Sequence, residues 1–426
     1  MGTIDQAQST TRATVQSKHR HMNGRYPSME STLTSVLTVL SIAITTVVAA
    51  YLFTGPGYAI ELTVVSLLAL GAWLRFSLHQ APSQDAIVAP YTLVIVLSLL
   101  LNTSRYWSGY ASFLTTHWPS FFAPNFSLTH VSWFVLFVTL PVSVMLLGGY
   151  YLSKRLPLGF YMAWWAFLYG VAEALLHYKV EFGSGGSYSH RYFVGSLAAI
   201  ALVIVGVTGC QRLLQKHAPV GASNLQPAAL TNRQVNLWTT LFVCLVVIYG
   251  VTLYSQAGVI PIAVVVGSML GGLLGWRKTT ARYPADPYRV VPLYLLLLCL
   301  FSIHVGEETI TSFNQGITSL SGTAWSDAEN TFLIALIGPA VWVFGAWSLW
   351  LRQPFGNFVL WFMTVGMILG EPTHFLVFPV VAMQKFGIGY QYFSGMYTAL
   401  FPMIPAVLLL VVLVQEHKHR VAHAKG

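Results

Sequence analysis

About a dozen times along this chain an apolar run approaches the length a helix needs to cross a bilayer, and no other feature restricts its fold as strongly. The hydrocarbon core is about 30 Å thick, which takes roughly 20 residues of helix. Such runs lie near residues 33–53, 58–76, 86–102, 131–152, 158–178, 192–210, 236–255, 258–276, 290–306, 331–351, 357–378 and 396–414. In lipid every backbone N–H and C=O needs an internal partner, so runs of this kind form helices. Composition agrees, with 55% hydrophobic and only 8% charged residues, where a soluble domain carries about 25% charged. The expected fold is all-α, a polytopic integral membrane protein with about 12 transmembrane helices.

The formal net charge of +9 would suggest nucleic acid in a soluble protein, so its placement decides its meaning. With the N-terminus inside, the cytoplasmic loops and tails hold nearly all the basic residues, from Arg12 and Lys18 through Lys154, Arg155, Arg277 and Lys278 to Arg420 and Lys425. Arg105, Lys179, Arg191 and Lys385 fall outside. This is the positive-inside asymmetry, so both termini are expected in the cytoplasm and the basic partner is the lipid bilayer, with no nucleic acid implied. Cys210, Cys244 and Cys299 lie in or at the ends of spans without a CxxC pattern, so they indicate neither disulfides nor a zinc knuckle. Residues 1–28 read as a polar, disordered cytoplasmic tail or as sequence upstream of a start at Met29, and 416–426 as a basic cytoplasmic tail.

Landmarks recur between the halves. "RLPLG" at 155–159 matches "RQPFG" at 352–356, "YFVGSLAA" at 192–199 matches "YFSGMYTA" at 392–399, and "VAPYTL" at 88–93 echoes "VVPLYL" at 290–295. Their common order and spacing indicate a parallel six-plus-six duplication. The first repeat spans 29–210, a polar linker 211–235, and the second repeat 236–415. Where the second half has His304, Glu307 and Glu308, the first has Ser104, Trp107 and Ser108, so folding a repeat does not require those ionisable groups.

His304, Glu307 and Glu308 sit at i, i+3 and i+4 and share one helix face. Glu371 and His374, in "LGEPTHF", have the Glu-x-x-His spacing that points carboxylate and imidazole the same way. By the topology above both elements lie toward the outer face. Carboxylates at membrane depth cost on the order of 2.5 to 3.5 kcal/mol each, so something neutralises them. A bound cation, protonation, or Arg105 and Arg191 from the first repeat are the three remedies. A metal reading assigns His304, Glu308, Glu371 and His374 as ligands of a divalent ion; Zn, Fe and Mn all accept such N/O donors.

His304-Val-Gly-Glu307-Glu308, the later His374, and "YFSG" at 392–395 resemble the HXXEE domain family, over about residues 290–410. Tyr392 and Gly395 match its Tyr-x-Pro-Gly piece, while Ser394 stands where that family has proline. The resemblance groups these residues as a set and implies no activity, because the family's function is unknown.

Three functional readings follow. One is a metal-dependent membrane hydrolase acting on a lipid or membrane polypeptide, with Glu307 or Glu308 as general base and the other carboxylate holding the ion. Another is a cation- or proton-coupled transporter of a small molecule using the same residues, its helix interrupted at Pro372. The last is a structural subunit whose glutamates pair with Arg105 and Arg191. Gly267, Gly271 and Gly275 form a small-residue stripe that serves close helix packing, or else a homo-oligomer face.

Overall fold

The computed structural model describes residues 29–53, 55–78, 82–108, 131–183, 193–215 and 229–425. Residues 1–28, most of the linker, and Arg191, His130 and His190 lie outside the described residues. Where described, the first half contains α1 (Met29–Phe53), α2 (Pro56–Ser77, its last turn widened to a π-helix), α3 (Gln84–Ser108), α4 (Val131–Ser153), α5 (Pro157–Gly183) and α6 (Phe193–Leu214). The second half contains α7 (Asn232–Ala257), α8 (Val259–Thr279), α9 (Pro287–Ile310), α10 (Phe313–Ser321), α11 (Asp327–Trp350), α12 (Pro354–Leu369), the short α13 (Thr373–Leu376) and α14 (Phe378–Phe386), and α15 (Leu400–Lys425). Among the described residues 11 helical segments are long and apolar enough to cross a bilayer, and α4 adds a further apolar helix at the expected fourth span. The protein is all-helical and multi-pass.

Local chemistry sets the helix ends. Asp286 caps α9 by accepting from the Tyr288 amide at 3.1 Å, and Pro287 opens its first turn, where a missing N–H does no harm. Gly258, at φ 78°, is the sole link between α7 and α8; a Cβ there would meet Thr323 Oγ1 at 2.5 Å. The two Arg-x-Pro-x-Gly landmarks adopt the same turn. Arg155 and Arg352 are both left-handed, at φ 58° and 59°. A Cβ on Gly159 would lie 2.1 Å from the Leu152 amide, and one on Gly356 2.2 Å from that of Leu349.

Helix pairing also repeats. In the first half α1 packs on α2, α2 on α5, α5 on α6 and α6 on α3; in the second α7 packs on α8, α8 on α12, α12 on α15 and α15 on α9. Between halves the contacts are reciprocal, α4 against α9 and α3 against α11, as a two-fold relation produces. This central group of four helices carries the apolar core, including Tyr91, Leu99, Tyr294 and Leu298.

The small-residue stripe is used inside the chain. A Cβ on Gly271 would meet Val365 at 2.9 Å, and one on Gly275 the Trp361 ring at 2.5 Å, so α12 of the same chain fills that face. Only the exposed Gly267 has open space. The homo-oligomer expected through Gly267, Gly271 and Gly275 therefore lacks a free face at two of its three positions.

Candidate cation site in the second half

Three segments build the site. The last turns of α9 carry His304, Glu307 and Glu308. The break after α12 carries Glu371, where Pro372 cannot continue the amide ladder, and α13 then presents His374. The loop before α15 carries Tyr392, Ser394, Gly395 and Thr398. His304, Glu308, Glu371 and His374 are all buried. His304 Nε2 lies 2.9 Å from Glu371 Oε2 and 3.6 Å from Glu308 Oε1, and His374 Nε2 lies 3.4 Å from Glu308 Oε1. Ligand atoms of His304, Glu308 and His374 all fall within 4.8 Å of one another.

The surrounding hydrogen bonds assign the imidazole tautomers. His374 Nδ1 is 2.7 Å from the Ser394 carbonyl, which only accepts, so Nδ1 carries the proton. His304 Nδ1 is 3.0 Å from Thr398 Oγ1, whose own proton goes to Glu307 Oε2 at 2.5 Å, so here too Nδ1–H donates. Each ring, its Nδ1 so engaged, turns Nε2 toward the carboxylates. Two Nε2 atoms and two carboxylates then converge. His304 Nε2 and Glu371 Oε2 are 2.9 Å apart, the separation of an ion pair when the imidazole is protonated. Such an arrangement is stable with positive charge between the groups, either protons on the imidazoles or a metal ion. The donor set and the orienting contacts at both Nδ1 atoms fit a divalent transition metal.

Arg105 does not supply that charge. Arg105 is buried in its own half, pairing through Nη1 with the Glu173 carboxylate and donating from Nη2 to the Glu173 carbonyl at 3.0 Å. It also reaches Asn102 Oδ1 at 3.4 Å. Arg105 is thus no support for the second-half glutamates, and the expected Arg-paired architecture fails for it because Glu173 is nearer in the fold. Among the described residues no lysine or arginine forms an ion pair with Glu307, Glu308 or Glu371.

Glu307 departs from the expected role. Its carboxylate turns to the loop, accepting from Tyr392 Oη at 2.6 Å, the Tyr397 amide at 3.1 Å and the Thr398 amide at 2.8 Å. Glu307 therefore anchors the loop and, through Thr398, orients His304. Tyr392 itself is pushed above the ordinary phenol range, first by burial and then by the hydrogen bond to Glu307, which keeps it a donor. Gly395 has φ 84°, and a Cβ there would lie 2.6 Å from His374 Nδ1 and 2.8 Å from His304 Cε1. Ser394, in the place of the proline, donates to the Glu308 carbonyl at 3.2 Å and so ties the loop to α9. Thr398 and the Ser394 carbonyl were not among the expected residues; their sequence signal was the polar positions flanking the Tyr-x-x-Gly piece. Asp327 and Glu329 stay out of the cluster, Asp327 accepting from Asn314 at 2.8 Å and Glu329 closing a capping box with Ser326.

Beside the cluster is a cavity of about 360 Å³ lined by residues of α7 to α14. Its walls are mostly apolar, with Leu253, Met269, Phe301, Trp342 and Phe362 among them, and its ionisable liners are Glu308, Glu371, His374 and Tyr249.

No family model matches the chain, and no solved structure matches it. Partial similarity is found to solute carriers. Over 153 residues, 35% of this chain and 39% of the relative, it is 29% identical to Solute carrier family 35 member B1 of Xenopus laevis. Over 153 residues, 35% of this chain and 38% of the relative, it is 33% identical to the protein of the same name in Gallus gallus. The chain thus spans 38 to 39% of the length of these curated relatives.

Proposed function

We propose that this chain is a cation-coupled membrane transporter whose coupling site is His304, Glu308, Glu371 and His374. The observation that carries the reading is the convergence of two imidazole Nε2 atoms with two carboxylates, without an arginine or lysine ion-paired to them among the described residues. The partial similarity to solute carriers supports transport over hydrolysis. So do the reciprocal packing of the halves and the helix broken at Glu371–Pro372, both common in transporters. Protons, a divalent ion such as Zn, Fe or Mn, and a small-molecule cargo occupy the site in turn and exchange for one another, each supplying the missing charge.

The test is exchange across proteoliposomes containing the full chain. Zn²⁺ uptake driven by an outward proton gradient is expected above that of empty liposomes and is expected to vanish in Glu371→Gln. Equal flux for wild type and Glu371→Gln overturns the reading.

A second reading, a metal-dependent membrane hydrolase, is favoured by one observation: two histidines and one glutamate within 4.8 Å are the protein ligands of many catalytic zinc sites. In that reading Glu371, beside His304, is the general base, since Glu307 is held by Tyr392 and Thr398. Stoichiometric metal with lipid-ester or peptide turnover, and no ion flux, would favour it.

A further inference from the structure

We infer that the cavity beside Glu308, Glu371 and His374 admits an amphiphilic organic cation, an apolar body with one ammonium head, entering sideways from the hydrocarbon of the bilayer. The inference rests on the coupling site proposed above and names the substrate class for it.

The walls dictate the body of the ligand. A volume of about 360 Å³ lies in the range of small-molecule pockets, roughly 300 to 1,000 Å³. The lining is mostly apolar, and Glu308, Glu371 and His374 lie together within it, His374 Nε2 being 3.4 Å from Glu308 Oε1. A ligand that is polar all round would bury its polar groups against Leu253, Phe301 and Phe362 without partners.

The ionisable end dictates the head. Glu308 and Glu371 present two carboxylates there, with the Nε2 atoms of His374 and the adjoining His304 beside them, so the end of the cavity that meets the head is acidic. An ammonium carries three donors and no acceptor, which matches that set. A phosphate or carboxylate head brings further negative charge beside two carboxylates, and among the described residues neither lysine nor arginine lines the cavity to receive it.

The mouth dictates the route. Two cavity-lining side chains are surface-exposed, Leu245 at 37% and Val341 at 40%. They lie near the middle of α7 and of α11, a level at which the surface of a membrane-spanning helix meets hydrocarbon. α7 packs chiefly on α8, and only 17% of its spanning window is buried, so most of its surface around Leu245 is left to lipid.

Head and coupling cation need the same carboxylates, so binding of one displaces the other. One ammonium neutralises one of the two carboxylates, so the other keeps a proton in that state, and the coupling is exchange.

The full chain in lipid nanodiscs, titrated with dodecylammonium, dodecanol and dodecyl phosphate, tests this. Dodecylammonium is expected to bind at least tenfold more tightly than the other two, to be displaced by Zn²⁺, and to lose at least tenfold in Glu371→Gln and in Val341→Trp, which narrows the mouth. Zn²⁺ displacement in wild type is read without any variant, so misfolding of Val341→Trp does not decide the matter. Zn²⁺ binding without dodecylammonium binding, or preference for the phosphate, overturns the substrate class and leaves the coupling site standing. Binding of neither cation overturns both.

Discussion

Gly395 and Gly195 stand in the same relation to the two halves of the molecule. A Cβ on Gly395 would strike the His374 ring at 2.6 Å and the His304 ring at 2.8 Å, while one on Gly195 would strike Ser104 Oγ at 2.6 Å and come 3.3 Å from His177 Cε1. Each glycine thus packs where a late helix of its half meets an early one. In the first half Glu173 at this place is neutralised by Arg105. In the second half Glu371 faces His304 instead, so a buried glutamate there has an imidazole for a partner where Glu173 has a permanent cation.

Gly395→Ala is expected to disable the site. At φ 84° a Cβ is strained by on the order of 1 to 3 kcal/mol, and it also pushes both imidazoles out of register. Divalent-ion affinity, measured by titration of purified protein, should fall at least tenfold, whereas Gly195→Ala should lower the melting temperature with little change in that affinity.

The two adjacent glutamates should separate cleanly. Glu308→Gln removes a carboxylate from the cluster and is expected to lower cation affinity by roughly 10- to 100-fold, in line with the loss of ligand-sphere groups. Glu307→Gln weakens charge-assisted bonds to the 392–398 loop, each worth about 1.5 to 3 kcal/mol, and should reduce thermal stability first. Equal effects of the two changes on affinity would contradict the division of roles.

Cation affinity should depend on pH in one direction. Protons compete for the same Nε2 atoms and carboxylates, so apparent affinity for Zn²⁺ is expected to rise with pH as the site loses its protons. An affinity that does not change with pH would remove the histidines from the ligand set.

Arg105→Ala is expected to destabilise the fold by about 3 to 5 kcal/mol, because it strands the buried carboxylate of Glu173. Adding Glu173→Gln to the same protein should recover most of that loss in a thermal unfolding experiment. Absence of recovery would mean that Arg105 acts through packing and not through charge.

Length of apolar run decided much of this protein without any structure. Each expected span has a helix, because a segment that must satisfy its own backbone in lipid has no alternative of comparable length. The convergence of His304 and Glu308 was equally legible, since i and i+4 positions share a face whatever the rest of the chain does. Spacing alone did not separate Glu307 from Glu308: the two differ by about 100° around α9 and both fall near the face of His304. A segment remote in sequence, Tyr392 to Thr398, draws one carboxylate to itself and leaves the other to the cluster. The partner of Arg105 was hidden for the same reason, being chosen by the packing of α3 against its own half. Local periodicity is a property of neighbouring residues and can be read in order; which buried charge meets which is fixed by contacts between distant residues, and those exist only once the helices have packed.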